Sequence, residues 1–385
     1  MIPGETSVVV VGAGVIGASV AYHLTQLGVK GVVLLEKEST GGAGSTGLNA
    51  GGVRAQFSTE VNIRLSLASL EMFERMERDM GLPIEFQQSG YLFLMPDQQM
   101  ADRFADRADL QRSLGVEVDL LETTDVQARW PFLRTDDLAG GVFGARDGYL
   151  DPIGVWRNFL DAARGSGAQV ATDTEFMGVT QDSGRVTGVV TSRGTIECEK
   201  VVDAAGPWAG LVAERAGVSV PAEPVRRQLY VTDGGEDVPD GIPLTVDMGT
   251  GLYVRPESPG LLLGLADTEE SPGFKEGLNE EFFQDVVLDA ALDRIPSLEN
   301  AAVPHMWPGY YSVTPDHHGV IGEAPELRGF ILCLGFSGHG MMQSPASGRA
   351  TAEIVVHGES STVDVSALSP GRFATGGLLD EQAVL

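Results

Sequence analysis

The spacing of apolar positions changes several times along this chain, and each change marks an element. Residues 8–11 read VVVV, a short, wholly apolar, β-branched run that predicts a strand buried on both faces of a parallel sheet. Behind it Ile16, Val20, Leu24 and Leu27 recur at helical spacing until Gly28 closes the pattern. A second apolar run, Val32 to Leu35, stops at Glu36. From Thr40 to Gly52 the chain reads TGGAGSTGLNAGG, where small residues make helix implausible. An amphipathic helix follows at once, with Ile63, Leu67, Leu70 and Phe73 on its buried face and Thr59 as its N-cap. Further on, Val186 to Val190 after Asp182-Ser183-Gly184 predict a hairpin or meander, and residues 196–206 (IECEKVVDAAG) a strand reaching a glycine turn before Pro207-Trp208. Phe330 to Leu334 predict another buried strand. A glycine-rich turn, Gly335 to Gly340, then leads into a helix that runs to about His357, with Pro345 in its first turn.

The order strand, Gly12-Ala13-Gly14-Val15-Ile16-Gly17, helix, strand, acid gives the first chemistry. Gly12 permits the tight turn, Gly14 lets backbone approach a pyrophosphate, and Gly17 lets helix and strand pack closely. The pyrophosphate sits at the positive end of the helix, and the Glu36 carboxylate can accept hydrogen bonds from an adenosine ribose. The motif alone does not choose between FAD and NAD. The TGGAGSTGLNAGG segment favours FAD: it can lay backbone amides and the Ser45 and Thr46 hydroxyls along a long ligand, where a nicotinamide dehydrogenase continues with an ordinary βα unit. The second glycine-rich turn implies a clamp on the same ligand, its amides and helix dipole aimed at the flavin pyrimidine edge.

Composition narrows the partners. With 385 residues the chain is long enough for two domains. Its 54 carboxylates outnumber 26 basic side chains, which argues against nucleic acid and anionic membranes. No apolar run reaches the length of a membrane span. Cys198 and Cys333 are the only cysteines; two thiols make no disulfide framework, so a reducing cytoplasm fits best and inert packing is their default role. No metal site is expected, because neither cysteine has histidines at ligand spacing.

Taken together, GAGVIG, GSTGLNAGGVR, VVDAAGPWA, YYSVTPD and GFSGHGMMQSP resemble the D-amino-acid-oxidase-like family of FAD enzymes, which includes glycine oxidase and the sarcosine oxidases. The resemblance spans nearly the whole chain. It implies an α/β (α+β) fold in which a Rossmann-type FAD domain (1–81, 146–219 and 306–385) is interleaved with an antiparallel-sheet substrate domain (82–145 and 220–305). It implies FAD contacts at Gly12, Gly14, Val15, Ile16, Gly17, Glu36 and Lys37, and along Ser45, Thr46, Asn49, Ala50, Gly51 and Gly52. Phe176, Ala205, Gly206, Trp208 and Gly309 join them, as do Gly338, His339, Gly340, Met341 and Met342.

Departures from the family bear on the chemistry. Gly309 stands where monomeric sarcosine oxidases carry a flavin-linked cysteine, and Asn49 where the dimethylglycine dehydrogenase branch carries a flavin-linked histidine, so FAD is expected to be non-covalent. Leu262 stands in the place of a lysine that assists reaction with oxygen, and lysine occurs only at 30, 37, 200 and 275. Tyr311, Gly338 and Met342 replace charged carboxylate anchors of the relatives. Arg54 matches the sarcosine-oxidase arginine and Tyr253 a substrate-facing tyrosine. Arg255 falls on Tyr253's face by strand alternation, with a surface ion pair as its alternative role, and His339 either packs beside the flavin or acts directly.

The expected reaction is oxidation of the C–N bond of a small amino acid or secondary amine, preferably glycine or an N-substituted glycine. A hydride passes to flavin N5, the imine hydrolyses, and O2 is reduced to H2O2. Met342 and Tyr311 suggest a substituent larger or more apolar than methyl. Two alternatives stay open: a dehydrogenase serving a quinone, a flavoprotein or a partner subunit, and a redox-silent FAD protein acting in assembly.

Overall fold

The VVVV run forms the strand Val8–Val11, buried throughout, because it has parallel neighbours on both sides: Lys200–Asp203, and Val32–Leu35 in the register Val9↔Val33. The computed structural model describes residues 2–234, 238, 239 and 241–381. Positions 235–237 and 240, inside the expected 220–305 span, and 1 and 382–385 lie outside the described residues. The sheet has six strands, in the order Val320–Glu323, Phe330–Leu334, Lys200–Asp203, Val8–Val11, Val32–Leu35, Gln169–Ala171. Only the first of these runs antiparallel to its neighbour.

The glycine-motif helix, Val15–Gln26, buries Val15, Ala18, Val20, Ala21 and Leu24. Leu27 lies beyond its end and is exposed, and Ile16 is half-buried. This helix packs on Pro152–Gly165 and on the long helix Gly340–His357. The second contact is close: a Cβ on Gly348 would lie 2.6 Å from Ser19 Cβ. The long helix starts earlier than expected, at Gly340 with His339 as N-cap, which leaves Pro345 inside it rather than in its first turn. Gly338, at φ +95°, turns the chain just before.

Residues 196–206 form two strands instead of one. Gly194–Glu197 closes an antiparallel meander with Arg185–Thr191 and Phe176–Asp182, whereas Lys200–Asp203 joins the parallel sheet. The meander turns at Ser183 and Gly184, both at positive φ, as a tight type I′ hairpin requires. Thr59 holds the N-cap position of Glu60–Met80, but its side chain does not cap. Its hydroxyl meets His318 Nε2 at 2.8 Å and Glu381 at 3.3 Å. Glu381 also accepts from Ser58 N and Asn62 Nδ2, at 2.9 and 3.0 Å, so its side-chain carboxylate sits at the positive end of this helix.

The second layer is an eight-stranded sheet. Its order is His305–Val313, Glu223–Val231, Gly260–Gly264, Tyr253–Glu257, Leu244–Asp247, Tyr91–Met95, Gly140–Gly144, Asp119–Leu121. Every neighbouring pair is antiparallel except Leu244–Asp247 with Tyr91–Met95. That parallel pair joins chain from before residue 145 to chain from after 220. Among the described residues no helix is long and apolar enough to cross a membrane.

Candidate active site

The two sheets enclose a cavity of about 660 Å³, a size typical of small-molecule and cofactor sites. One end is built by the glycine motif. A Cβ on Gly12 would lie 2.6 Å from Ala204 O, so only glycine fits the turn. A Cβ on Gly14 would meet only Thr46 Oγ1, at 3.2 Å, and Gly14 lines the cavity. Gly17 does not line the cavity; a side chain there would collide with Gly12 O, so its role is packing. Glu36 follows the strand Val32–Leu35 directly and lines the cavity, its carboxylate accepting from Ala13 N at 3.1 Å and Glu38 N at 3.0 Å. Lys37 lies 3.9 Å over the Trp208 ring.

The TGGAGSTGLNAGG segment runs as turns along the wall. Asn49 organises it, donating to Ser45 O and Thr46 O while accepting from Gly51 N at 2.7 Å. The Ser45 and Thr46 hydroxyls line the cavity, but their hydrogen bonds go to protein. Ser45 donates to Tyr310 O at 2.7 Å and Thr46 accepts from Val15 N at 3.0 Å. These contacts brace the wall, with the Ser45 proton spent on Tyr310 O and Thr46 bound as an acceptor. Ala50, Gly51, Gly52, Phe176, Ala205, Gly206 and Gly309 complete this part. The open backbone at Gly14, the acid at Glu36 and the helix N-termini at Val15 and Gly340 together suit FAD.

The other end carries different chemistry. Arg54, 1% exposed, lies just past the turn segment and lines the cavity. Its guanidinium stacks 4.0 Å over Phe57, donates through Nη1 to Gln56 O, and brings Nη2 to 3.3 Å from His339 Nε2. Guanidinium can only donate, so His339 accepts at Nε2 and carries its proton on Nδ1. Burial and the Arg54 charge hold the His339 pKa well below 6.5, which keeps the ring neutral. Beneath Arg54, Asp147 accepts from Ala55 N and Gln56 Nε2, each at 3.0 Å, and burial pushes its pKa up to about 6.

The Tyr253 and Tyr311 phenols lie close enough to influence each other, and burial raises both pKa values and keeps both neutral. The Tyr311 ring packs against Gly338, where a Cβ would come within 2.5 Å. Met341 and Met342 add apolar lining from the first turn of the long helix.

Of the two roles left open for Arg255, the structure shows the ion pair and not the place beside Tyr253 in the cavity. It does not line the cavity; its Nε donates to Ala50 O at 2.6 Å and its guanidinium pairs with Glu257 at 2.7 Å. It lies on Tyr253's strand but clamps the back of the turn segment. Sequence reasoning missed Tyr91, Leu229 and Arg227, which do line the cavity. For Arg227 a signal existed, since the Arg226-Arg227 pair lies in a strand and alternation must send one of the two inward. Both cysteines are buried, and burial pushes each thiol up to about 12. Among the described residues no group of three or more metal-ligating side chains forms.

Residues 7–354 match the family model for FAD dependent oxidoreductases. Human mitochondrial sarcosine dehydrogenase is 33% identical over 373 residues, 93% of this chain and 40% of that protein. The chain thus spans well under half of that relative's length. The Xenopus laevis FAD-dependent oxidoreductase domain-containing protein 1 is 33% identical over 416 residues, 96% of this chain and 83% of that protein. Among solved structures, L-proline dehydrogenase from P. horikoshii superposes with a TM-score of 0.91 at 30% identity, covering 98% of this chain and 100% of its own. Glycine oxidase from Geobacillus kaustophilus superposes at 0.84 with 26% identity, over 96% and 99%.

Proposed function

This chain belongs to the FAD-dependent oxidoreductase family, and from that premise we propose that it oxidises the C–N bond of a small amino acid or secondary amine, preferably glycine or an N-substituted glycine. The imine product hydrolyses to a carbonyl compound and an amine. The observation that carries this reading is Arg54, a buried guanidinium facing the cavity beside a neutral histidine.

When bound, FAD supplies the hydride acceptor for the carbon next to the substrate nitrogen. The backbone at Gly12 and Gly14, the Glu36 carboxylate and the turn segment 40–52 hold it. The protein's own work is orientation. Arg54 grips the substrate carboxylate through parallel hydrogen bonds, and His339 fixes the angle of that guanidinium by accepting from Nη2. Tyr253, Tyr311 and Met342 enclose the substrate body and exclude water. In this reading residues 1–81, 146–219 and 306–385 form the FAD-binding domain and 82–145 and 220–305 the substrate domain, with Arg54, Tyr311, His339 and Met342 of the former reaching the substrate and the strand His305–Val313 pairing into the eight-stranded sheet.

The electron acceptor divides the reading in two. Molecular oxygen, yielding peroxide, is one destination; a quinone, flavoprotein or partner subunit is the other. The second is favoured by the dehydrogenase names of two relatives; Leu262, expected in the place of the oxidase lysine, is buried but does not line the cavity.

Anaerobic mixing with a panel of glycine, sarcosine, proline and longer N-alkylglycines tests the reaction: at least one should bleach the flavin absorbance. Failure of the whole panel overturns amine oxidation in favour of a redox-silent FAD protein. Peroxide yield in air, set against dye reduction, then separates the two acceptors.

A further inference from the structure

We infer that Arg227 reads a second negative charge on the substrate. The molecule oxidised then carries two carboxylates, as a dicarboxylic amino acid or an amino acid bearing an N-carboxyalkyl group. The inference rests on the amine-oxidation reading above and names the substrate class of that site.

Arg226 and Arg227 are neighbours on the strand Glu223–Val231, and the pleat sends them to opposite faces. Arg226 turns away from the cavity and meets Glu270 at 2.7 Å, a carboxylate buried to 4% exposure. Arg227 turns inward, lines the cavity and is half-buried. It pairs with no carboxylate among the described residues. Nη1 donates to Arg226 O at 2.9 Å, and the buried Nε has no hydrogen-bond partner. Its guanidinium lies 5.3 Å from the Tyr311 ring centroid. A half-buried guanidinium with an unused buried donor is costly unless an anion meets it.

The surrounding charges say which end of the ligand supplies that anion. The acids lining the cavity are Glu36, Glu38 and Glu175. Glu36 follows the glycine-motif sheet, Glu38 pairs with Lys37 at 3.4 Å, and Glu175 pairs with Arg215 at 2.7 Å. Phe176, beside Glu175, belongs to the meander rather than to the eight-stranded sheet. Around Tyr311 the charged groups are two cations: both Arg227 and Arg54 act on its phenol, lowering its pKa against the effect of burial. One contact path links them, from Arg227 over Tyr311, through Gly338 and His339, to Arg54. A monocarboxylate satisfies one of these guanidiniums. In a chain with a net charge of −28, two inward cations at the substrate end also give a dianion a local attraction that the outer surface lacks.

Equilibrium binding to the oxidised holoenzyme tests this without turnover. The probes are methylthioacetate, with one carboxylate, and thioether diacids that keep its carboxymethylthio group and add a second carboxylate one to three methylenes beyond sulfur. Perturbation of the flavin spectrum reports binding. The wild type should bind at least one diacid about tenfold or more tighter than methylthioacetate. Arg227→Met should abolish that margin while retaining FAD and its affinity for methylthioacetate; Arg227→Lys should keep part of the margin. Equal affinity for mono- and diacids in the wild type overturns the inference alone. So does a variant that shifts the flavin potential but keeps the margin, since Arg227 would then serve the cofactor. Failure of every probe to bind, with no amine bleaching the flavin, removes the amine reading itself.

Discussion

At Arg54 the stacking on Phe57 and the contacts to Gln56 O and His339 fix the guanidinium before any ligand arrives. Pre-set geometry of this kind makes a carboxylate contact worth most. Arg54→Ala should therefore lower kcat/KM for the carboxylate substrate by about 2–5 kcal/mol of transition-state stabilisation, with FAD content near normal. The matching amine without a carboxylate should be poor for both proteins. Steady-state kinetics on the pair decides it, and unchanged kcat/KM in the variant refutes the anchoring role. Arg54 was legible through the family resemblance, as the match to the sarcosine-oxidase arginine just past the glycine-rich segment, and it lines the cavity. Gly12, Gly14, Gly17 and Glu36 were legible directly, each meeting a local steric or charge demand. Arg227 was half legible, since strand alternation turns one of Arg226 and Arg227 inward without saying which; Tyr91 and Asp147 were not legible. Their neighbours come from strands far apart in sequence, and no spacing rule fixes the register that brings them together.

Among the elements, the pairing of the glycine-motif helix with the long helix Gly340–His357 matters most to the cavity, because both N-termini open onto it. Gly348 sets their approach. In an exposed helix, glycine to alanine stabilises by roughly 0.5–1 kcal/mol. Here the new Cβ would press on Ser19, so Gly348→Ala should destabilise by about 1–3 kcal/mol and loosen FAD. Urea unfolding together with FAD dissociation measures both, and a more stable variant with FAD fully retained would falsify the account. Two element-level misreadings share a cause. Through 196–206 the buried positions Ile196, Cys198, Val201 and Val202 follow one another with no turn residue between them while the chain passes from the meander to the parallel sheet, so the pattern alone reads one strand. At Pro345 the expectation followed the usual place of proline in helices; here Gly338 ends the turn early and the helix has begun before proline is reached.

For the molecule as a whole, two outcomes are expected. FAD should be released by acid precipitation, leaving a colourless pellet under a yellow supernatant, because Gly309 and Asn49 offer no group for a covalent link. Colour that stays with the denatured polypeptide contradicts this. Stability should also fall as pH drops below 6.5. His23, His317, His318 and His339 all have pKa values lowered by burial, His23 to about 3. In the unfolded chain they take up protons near pH 6.5 that the fold refuses, so the unfolded state gains. Asp147, at about 6, and Asp203, raised by burial, work the other way, favouring the fold as pH falls. Four histidines outweigh two acids, and the net slope is a loss. Further down, Asp316 and Glu353, both at about 2, give up the stability that Arg372 and Thr362 lend their ionised forms. Urea midpoints at pH 7.5 and 5.5 check the first stage, which a flat or rising midpoint on acidification would contradict. At this scale the sequence conveyed the doubly layered plan through its family motifs. The parallel pairing of Leu244–Asp247 with Tyr91–Met95 stayed hidden, since no local pattern records which distant strand a given strand adopts.

The Glu381 carboxylate, seated on Ser58 N, Thr59 and Asn62, has a bearing on how the protein is handled at the bench. It reaches the helix that begins just after Arg54 and packs on the long helix. A stop codon placed ahead of residue 381 deletes no cavity residue among the described ones, yet it strips the Glu381 carboxylate from that helix's first turn. Chains ended at 380 and at 381 should therefore differ in melting temperature and in FAD retention, although a single residue separates them. If the two melt together, the carboxylate is only a passenger. If they part, affinity handles belong at the other end of the chain.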